Sequence, residues 1–179
     1  METIDLSRAG SLTSPNPVTL VCSTKVDGSA NLATVSWWTI LSFNPEMLGF
    51  AMARTSFTGE TVRRTGRVVI TVPGAALARA TMGCGMTTGR DTDKAAKFGI
   101  ELVEAPGCGI KIPVHSRLAM VCTLKECHEV GDHIFHVCTV DKTLANENEE
   151  ALFAWKGYAV LKPDRKSTRL NSSHWLTSR

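Results

Sequence analysis

No stretch of this chain stays apolar for the roughly 18 residues that a membrane-spanning helix needs. Its first ten residues, Met1 to Gly10, are polar and carry Glu2 and Asp5, so no secretory leader is expected. The six cysteines (22, 84, 108, 122, 127 and 138) include no Cys-x-x-Cys pair. Neither a disulfide framework nor a zinc site is expected from that spacing, and a reducing cytoplasm is the expected home. Gly-x-Gly-x-x-Gly, the phosphate-loop motif and Gly-x-Ser-x-Gly are missing too, so a pyridine nucleotide, if used, is not held by a Rossmann fold. His133 and His136 fall on opposite faces of a strand and cannot chelate one metal as a pair.

The body also lacks net charge. The chain of 179 residues is formally +3, but four of its twenty basic residues and one of its seventeen acidic ones lie in 164–179. Residues 1–163 therefore hold sixteen of each sign, and the basic pI of 8.6 gives no argument for nucleic acid. The tail has no strand or helix period. Its residues 164–174, DRKSTRLNSSH, match the translation of a common short-read sequencing adapter, and 164–179 is read as non-native, the alternative being a disordered basic tail.

What remains suffices for one domain with a sizeable core. After a mobile leader, 1–13, strands are expected at 18–24, 31–41, 47–53, 67–72, 100–104, 109–114, 118–128, 133–141 and 158–161. Helices are expected at 58–65, 75–82 and 91–98, with Asp91 as the last one's N-cap; 81–89 reads as a loop and 149–155 as a helical turn or two. Many strands and few short helices argue for a barrel rather than a βαβ sheet.

Chemistry concentrates in residues 31–66. Arg54, Thr55, Ser56 and Thr58 surround the expected start of a helix, where unpaired N–H groups and the positive end of the dipole suit a phosphate. A capped helix with no ligand would use the same Ser56 or Thr58. The strand before it carries Thr34, Val35, Ser36, Trp37 and Thr39; one of Trp37 and Trp38 is expected in the core, and spacing does not say which. Cys84 is the thiol expected nearest a ligand, in an exposed loop, although a small loop residue needs no ligand to explain it. Cys22, Cys122 and Cys138 read as buried packing. Lys94 lies on an expected helix that a plain solvated face would explain equally well.

These segments resemble the flavin reductase-like, FMN-binding split β-barrel family, in its flavoredoxin-type branch. The resemblance rests on Asn31 followed by Ser36-Trp37, on Asn44-Pro45, on Arg54-Thr55-Ser56-x-Thr58, on TGRDTDKAAKFG at 88–99 and on GDHIFHV at 131–137. It covers roughly residues 14–162. It implies a mainly β, six-stranded Greek-key barrel with short helices, a homodimer, and FMN held by the phosphate elbow and by the backbone of 33–39. It also implies Lys94 near the ring and His133 near the nicotinamide of NADH or NADPH. The implied activity is an FMN-dependent oxidoreductase passing electrons to a flavin, a ferric complex or a small redox protein. The rival expectations are a flavoredoxin-type carrier without its own NAD(P)H activity, and a binding module that uses no flavin.

Overall fold

The computed structural model describes residues 3–163; the reading of 164–179 as foreign sequence lies outside them. A helical turn at Leu6–Arg8 and helix α1 (Ala9–Leu12) lead into β1 (Asn16–Pro17), β2 (Thr19–Thr24), β3 (Ala30–Val35), β4 (Trp38–Phe43) and β5 (Glu46–Ala53). Helix α2 (Phe57–Thr65), β6 (Arg67–Pro73), α3 (Ala78–Met86) and α4 (Lys94–Phe98) follow. The short β7 (Leu102–Glu104) and β8 (Lys111–Pro113) precede the long hairpin of β9 (Ser116–Val130) and β10 (His133–Ala145), and β11 (Leu152–Trp155) and β12 (Val160–Pro163) come last.

The main sheet runs β3-β2-β6-β9-β10-β5-β4, and every pairing is antiparallel. Its two end strands are consecutive in the chain, separated only by Ser36 and Trp37. The expected strand 31–41 is thus one segment with a break: its first half pairs with β2 and its second with β5. The break lets the sheet close on itself. Counted as one segment, β3 and β4 bring the seven strands of this sheet to six, which is the barrel expected from the sequence.

Alternating side chains divide the core. Val21, Phe50, Val68, Ile70 and Cys122 fill the barrel together with Val62 of α2. Leu20, Cys22, Val69 and Val121 point the other way, against Leu77, Ile100, Ile110 and Leu152. Strands β2 and β6 are covered on both faces, which is why RVVITV reads as a continuous apolar run instead of an alternation. The expected burial of Cys22, Cys122 and Cys138 is found; burial pushes the Cys22 and Cys138 thiols up to about 12.

Three local expectations are corrected. Residues 149–155 hold β11, which pairs with β1 and β12, in place of helical turns. Helix α3 continues through Gly83 and Gly85 to Met86, where a loop was expected. A Cβ at Gly83 would lie 2.5 Å from the Phe98 ring, and one at Gly85 would lie 3.2 Å from Thr34. These glycines serve close packing inside a helix, not a turn. The N-cap of α4 is Asp93, which accepts from Ala96 N at 3.0 Å, and not Asp91.

Candidate functional site

A cleft of about 710 Å³ opens between the β3–β4 break, the start of α2, the end of α3 and the β11–β12 turn. Its size is that of a pocket for a small organic ligand.

At one end stands α2. Ser56 is its N-cap, with Oγ accepting from Gly59 N at 3.2 Å, and Gly66 closes it in the left-handed region at φ 69°. Thr55, Ser56 and Thr58 all line the cleft. Thr87, Thr88 and Gly89 face them from the loop after α3; the family resemblance lays this loop over the flavin, although none of the three was singled out as a site residue. Arg90 latches this loop to α2: its Nη2 lies 2.8 Å from Glu60 Oε2, and its guanidinium carbon sits 5.0 Å over the Phe57 ring. Glu60, whose charge would repel a phosphate, is thus turned to Arg90.

Arg54 is not among the lining residues. Its Nη2 reaches Glu129 Oε2 at 3.0 Å, its Nε donates to Gly131 O at 2.9 Å, and its backbone N donates to Asp132 O at 3.0 Å. The guanidinium ties the end of β5 to the β9–β10 turn. The next residue of that turn, His133, does line the cleft, with Nδ1 2.7 Å from Asp132 Oδ1. This bond, first of all, holds the Asp132 carboxyl below its usual range.

At the other end, Thr34, Val35, Ser36 and Trp37 line the cleft, while Thr39 lies outside it, exposed on β4. Trp37 is 56% exposed and meets the His133 ring with centroids 4.7 Å apart; Trp38 packs against the barrel core. The question left open by spacing is thereby decided. Thr34 Oγ1 donates to Thr81 O, so its proton serves to hold α3 on β3. Ser36 and Trp37 belong to neither strand, and the cross-strand bond there is Ala51 N to Trp37 O, 2.8 Å.

Lys94 and Cys84 form the floor. Lys94 is 3% exposed, and its Nζ donates to Leu32 O at 2.7 Å and Cys84 O at 2.9 Å. Burial pushes its pKa down, with Cys84 opposing and Lys25 adding. Cys84 lines the cleft but is not exposed in a loop as expected: it sits in α3 at 1% exposure, and burial pushes its thiol up to about 11 against the pull of Lys94. A thiol so protonated is a poor nucleophile. Tyr158, the chain's single tyrosine, and Leu161 complete the wall. Tyr158 follows Lys156 and Gly157 through three left-handed residues, a turn that masks any strand period.

Behind α2, His136 is fully buried, stacked on Phe50 at 4.9 Å, with Nε2 3.4 Å from Arg63 Nη1. Burial first, and Arg63 second, depress its pKa below 6.5. The unfolded chain therefore binds this proton more readily. The stability that neutral His136 confers is complete above pH 6.5 and is lost as pH falls through its folded pKa. Urea midpoints at pH 7.5 and 5.5 are expected to converge in His136→Gln relative to the native chain; an unchanged difference would contradict this.

A family model described as a flavin reductase like domain matches residues 11–162. An uncharacterised Escherichia coli protein, YddH, is 28% identical over 123 residues, which is 68% of this chain and 65% of that protein's length. The flavoredoxin of Desulfovibrio vulgaris superposes with a TM-score of 0.81 at 17% identity, over 97% of this chain and 99% of that one. The Streptomyces globisporus NADH:FAD oxidoreductase SgcE6 superposes with a TM-score of 0.80 at 16% identity, over 92% and 98%. Barrel, break and elbow thus occur in a chain matched over most of its length by one family model, and the protein belongs to the flavin reductase-like family.

Proposed function

We propose that this chain binds FMN in the cleft and works as an NAD(P)H-dependent flavin oxidoreductase. The observation that carries the reading is the start of α2, where Thr55, Ser56 and Thr58 bring three hydroxyls and a helix N-terminus to a cleft that is also lined by the aromatic pair Trp37 and His133. A phosphate on a polyol linked to a flat ring fits that polarity.

In this reading the first-turn N–H groups of α2 and the Ser56 and Thr58 hydroxyls hold the phosphate. The backbone N–H groups of Ser36 and Trp37 offer donors to the polar edge of the ring. Lys94 keeps a positive charge under it, which favours a reduced, anionic ring. His133, fixed by Asp132 and backed by Trp37, stands where a nicotinamide would stack. Bound flavin supplies hydride and electron transfer, and these residues supply grip, orientation and electrostatics. The final acceptor is a second flavin, a ferric complex or a small redox protein. All six cysteines are free in the structure, which fits a reducing, cytoplasmic setting.

Rapid mixing of the FMN-loaded chain with NADH or NADPH tests the activity. Loss of flavin absorbance within seconds is expected. A flavin that stays oxidised for minutes while dithionite bleaches it would favour the carrier reading suggested by the flavoredoxin likeness.

The same reading includes a homodimer. Strand β4 ends the sheet, and its register shifts between Ile40 and Ser42, so that Ile40, Leu41 and Phe43 are all exposed, Phe43 at 83%. This apolar row continues into Trp37 at the cleft mouth, where a second copy would close the site. Sedimentation equilibrium is expected to give twice 19.4 kDa, falling to the single mass in Ile40→Glu/Phe43→Glu. A native chain already at the single mass would contradict it.

A further inference from the structure

Three polar side chains are buried in contact behind the phosphate elbow: Ser23, Asn31 and Thr58, at 0%, 1% and 3% exposure. Asn31 Nδ2 donates to Thr58 Oγ1 at 2.8 Å and to Ser23 Oγ at 3.2 Å. Its Oδ1 has no hydrogen-bond partner among the described residues. That oxygen points at Gly89, where a Cβ would lie only 1.8 Å away. Asn31 thus stands between the two walls of the cleft's polar end, α2 on one side and the Thr87–Gly89 loop on the other, without lining the cleft itself.

We propose that Asn31 is a positioning residue that aims the Thr58 hydroxyl, and so sets the affinity for the phosphate end of the ligand. The inference rests on the FMN reading and deepens it. A threonine hydroxyl has one proton and two acceptor lone pairs. With Asn31 donating to Thr58 Oγ1, that oxygen is used as an acceptor on its buried side. The proton is left to be donated, and Thr58 lines the cleft. Ser23 fixes the amide by accepting its second N–H. An apolar residue would fill the same space without the cost of an unpaired buried carbonyl, so packing alone gives no reason for an amide here. The Oδ1 contact also fixes how closely Gly89 approaches α2, which a glycine alone permits.

The test is titration of the full-length chain with FMN and, separately, with riboflavin, which lacks the phosphate. Flavin fluorescence is followed for the native chain, Asn31→Ala and Asn31→Leu, the second keeping the volume in case the first folds poorly. The expected result is FMN affinity weakened about 5- to 20-fold, part of the roughly 10- to 100-fold that one hydrogen bond to a charged acceptor supplies, because the Thr58 hydroxyl remains but is no longer aimed, with riboflavin affinity within about twofold of native. In the Thr58→Val background, removing Asn31 is expected to add less than about twofold, because its effect passes through Thr58. Equal losses for both ligands would make Asn31 a packing residue and overturn the proposal, as would unchanged FMN affinity in either variant. A native chain that binds both ligands equally would instead remove the phosphate reading itself, and this inference with it.

Discussion

Ser56→Gly/Thr58→Val is expected to weaken FMN binding by about 10²- to 10⁴-fold and to leave riboflavin binding nearly unchanged. A hydrogen bond to a charged partner contributes about 1.5–3 kcal/mol, and each 1.4 kcal/mol is tenfold in affinity. Two such bonds give the stated range. Glycine is chosen at 56 because Ser56 also caps α2 through Gly59 N, 3.2 Å away. Glycine at an N-cap costs only a few tenths of a kcal/mol where alanine costs about 1, so the fold is spared while the hydroxyl is removed. Arg54→Ala makes the contrast. Its guanidinium is engaged by Glu129 and Gly131 in a half-exposed pair, and such pairs contribute about 0–1 kcal/mol. Its effect on FMN is expected to stay within about fivefold. If Arg54→Ala released FMN while Ser56→Gly/Thr58→Val did not, the phosphate would have to sit nearer the β9–β10 turn than the α2 start.

Phe50→Ala is expected to cost about 3–5 kcal/mol of folding stability, the range for removing a fully buried phenyl ring. Phe50 has no exposed surface and lies mid-strand in β5, opposite Trp38 on one side and His136 on the other. Its ring stacks 4° from parallel on the imidazole of His136. Truncation therefore opens a cavity inside the barrel and unseats the histidine that supports α2. For a chain of this length a loss of 1 kcal/mol lowers the melting temperature by about 2–4 °C, so a fall of roughly 6–20 °C is expected in a thermal scan. Phe43→Ala, on the exposed side of β4, should shift the isolated monomer by no more than about 0.5 kcal/mol. A Phe50 variant that melted within 2 °C of native, on the order of the error of that scaling, would mean that the barrel interior is not packed as described.

Residues whose role depends on near neighbours were legible in the sequence. Ser56 and Gly66 bracket α2 as a cap and a stop should, and RVVITV announces β6. The elbow was visible because its three hydroxyls fall within four residues, Thr55 to Thr58. Roles set by distant partners were hidden. Glu149–Trp155 looks like a helical turn alone, but β1, some 138 positions earlier, supplies the partner that makes it a strand (Asn16 opposite Ala154). The break at Ser36 is imposed by barrel closure, not by any local breaker. Arg54 reads as a phosphate ligand until Glu129, far along the chain, is seen to hold it. Gly83 and Gly85 suggested a loop, although Leu77, Ala80, Thr81 and Cys84 recur at helical spacing and are all buried. That period was the available signal for α3.

The central claim is that the start of α2 grips the phosphate of a flavin mononucleotide. Parallel titrations of the full-length chain with FMN and riboflavin test it most directly. One FMN per chain is expected, with a preference over riboflavin of at least about tenfold, the minimum that one charged hydrogen bond supplies. Equal affinity for the two flavins, or no binding of either, would contradict it.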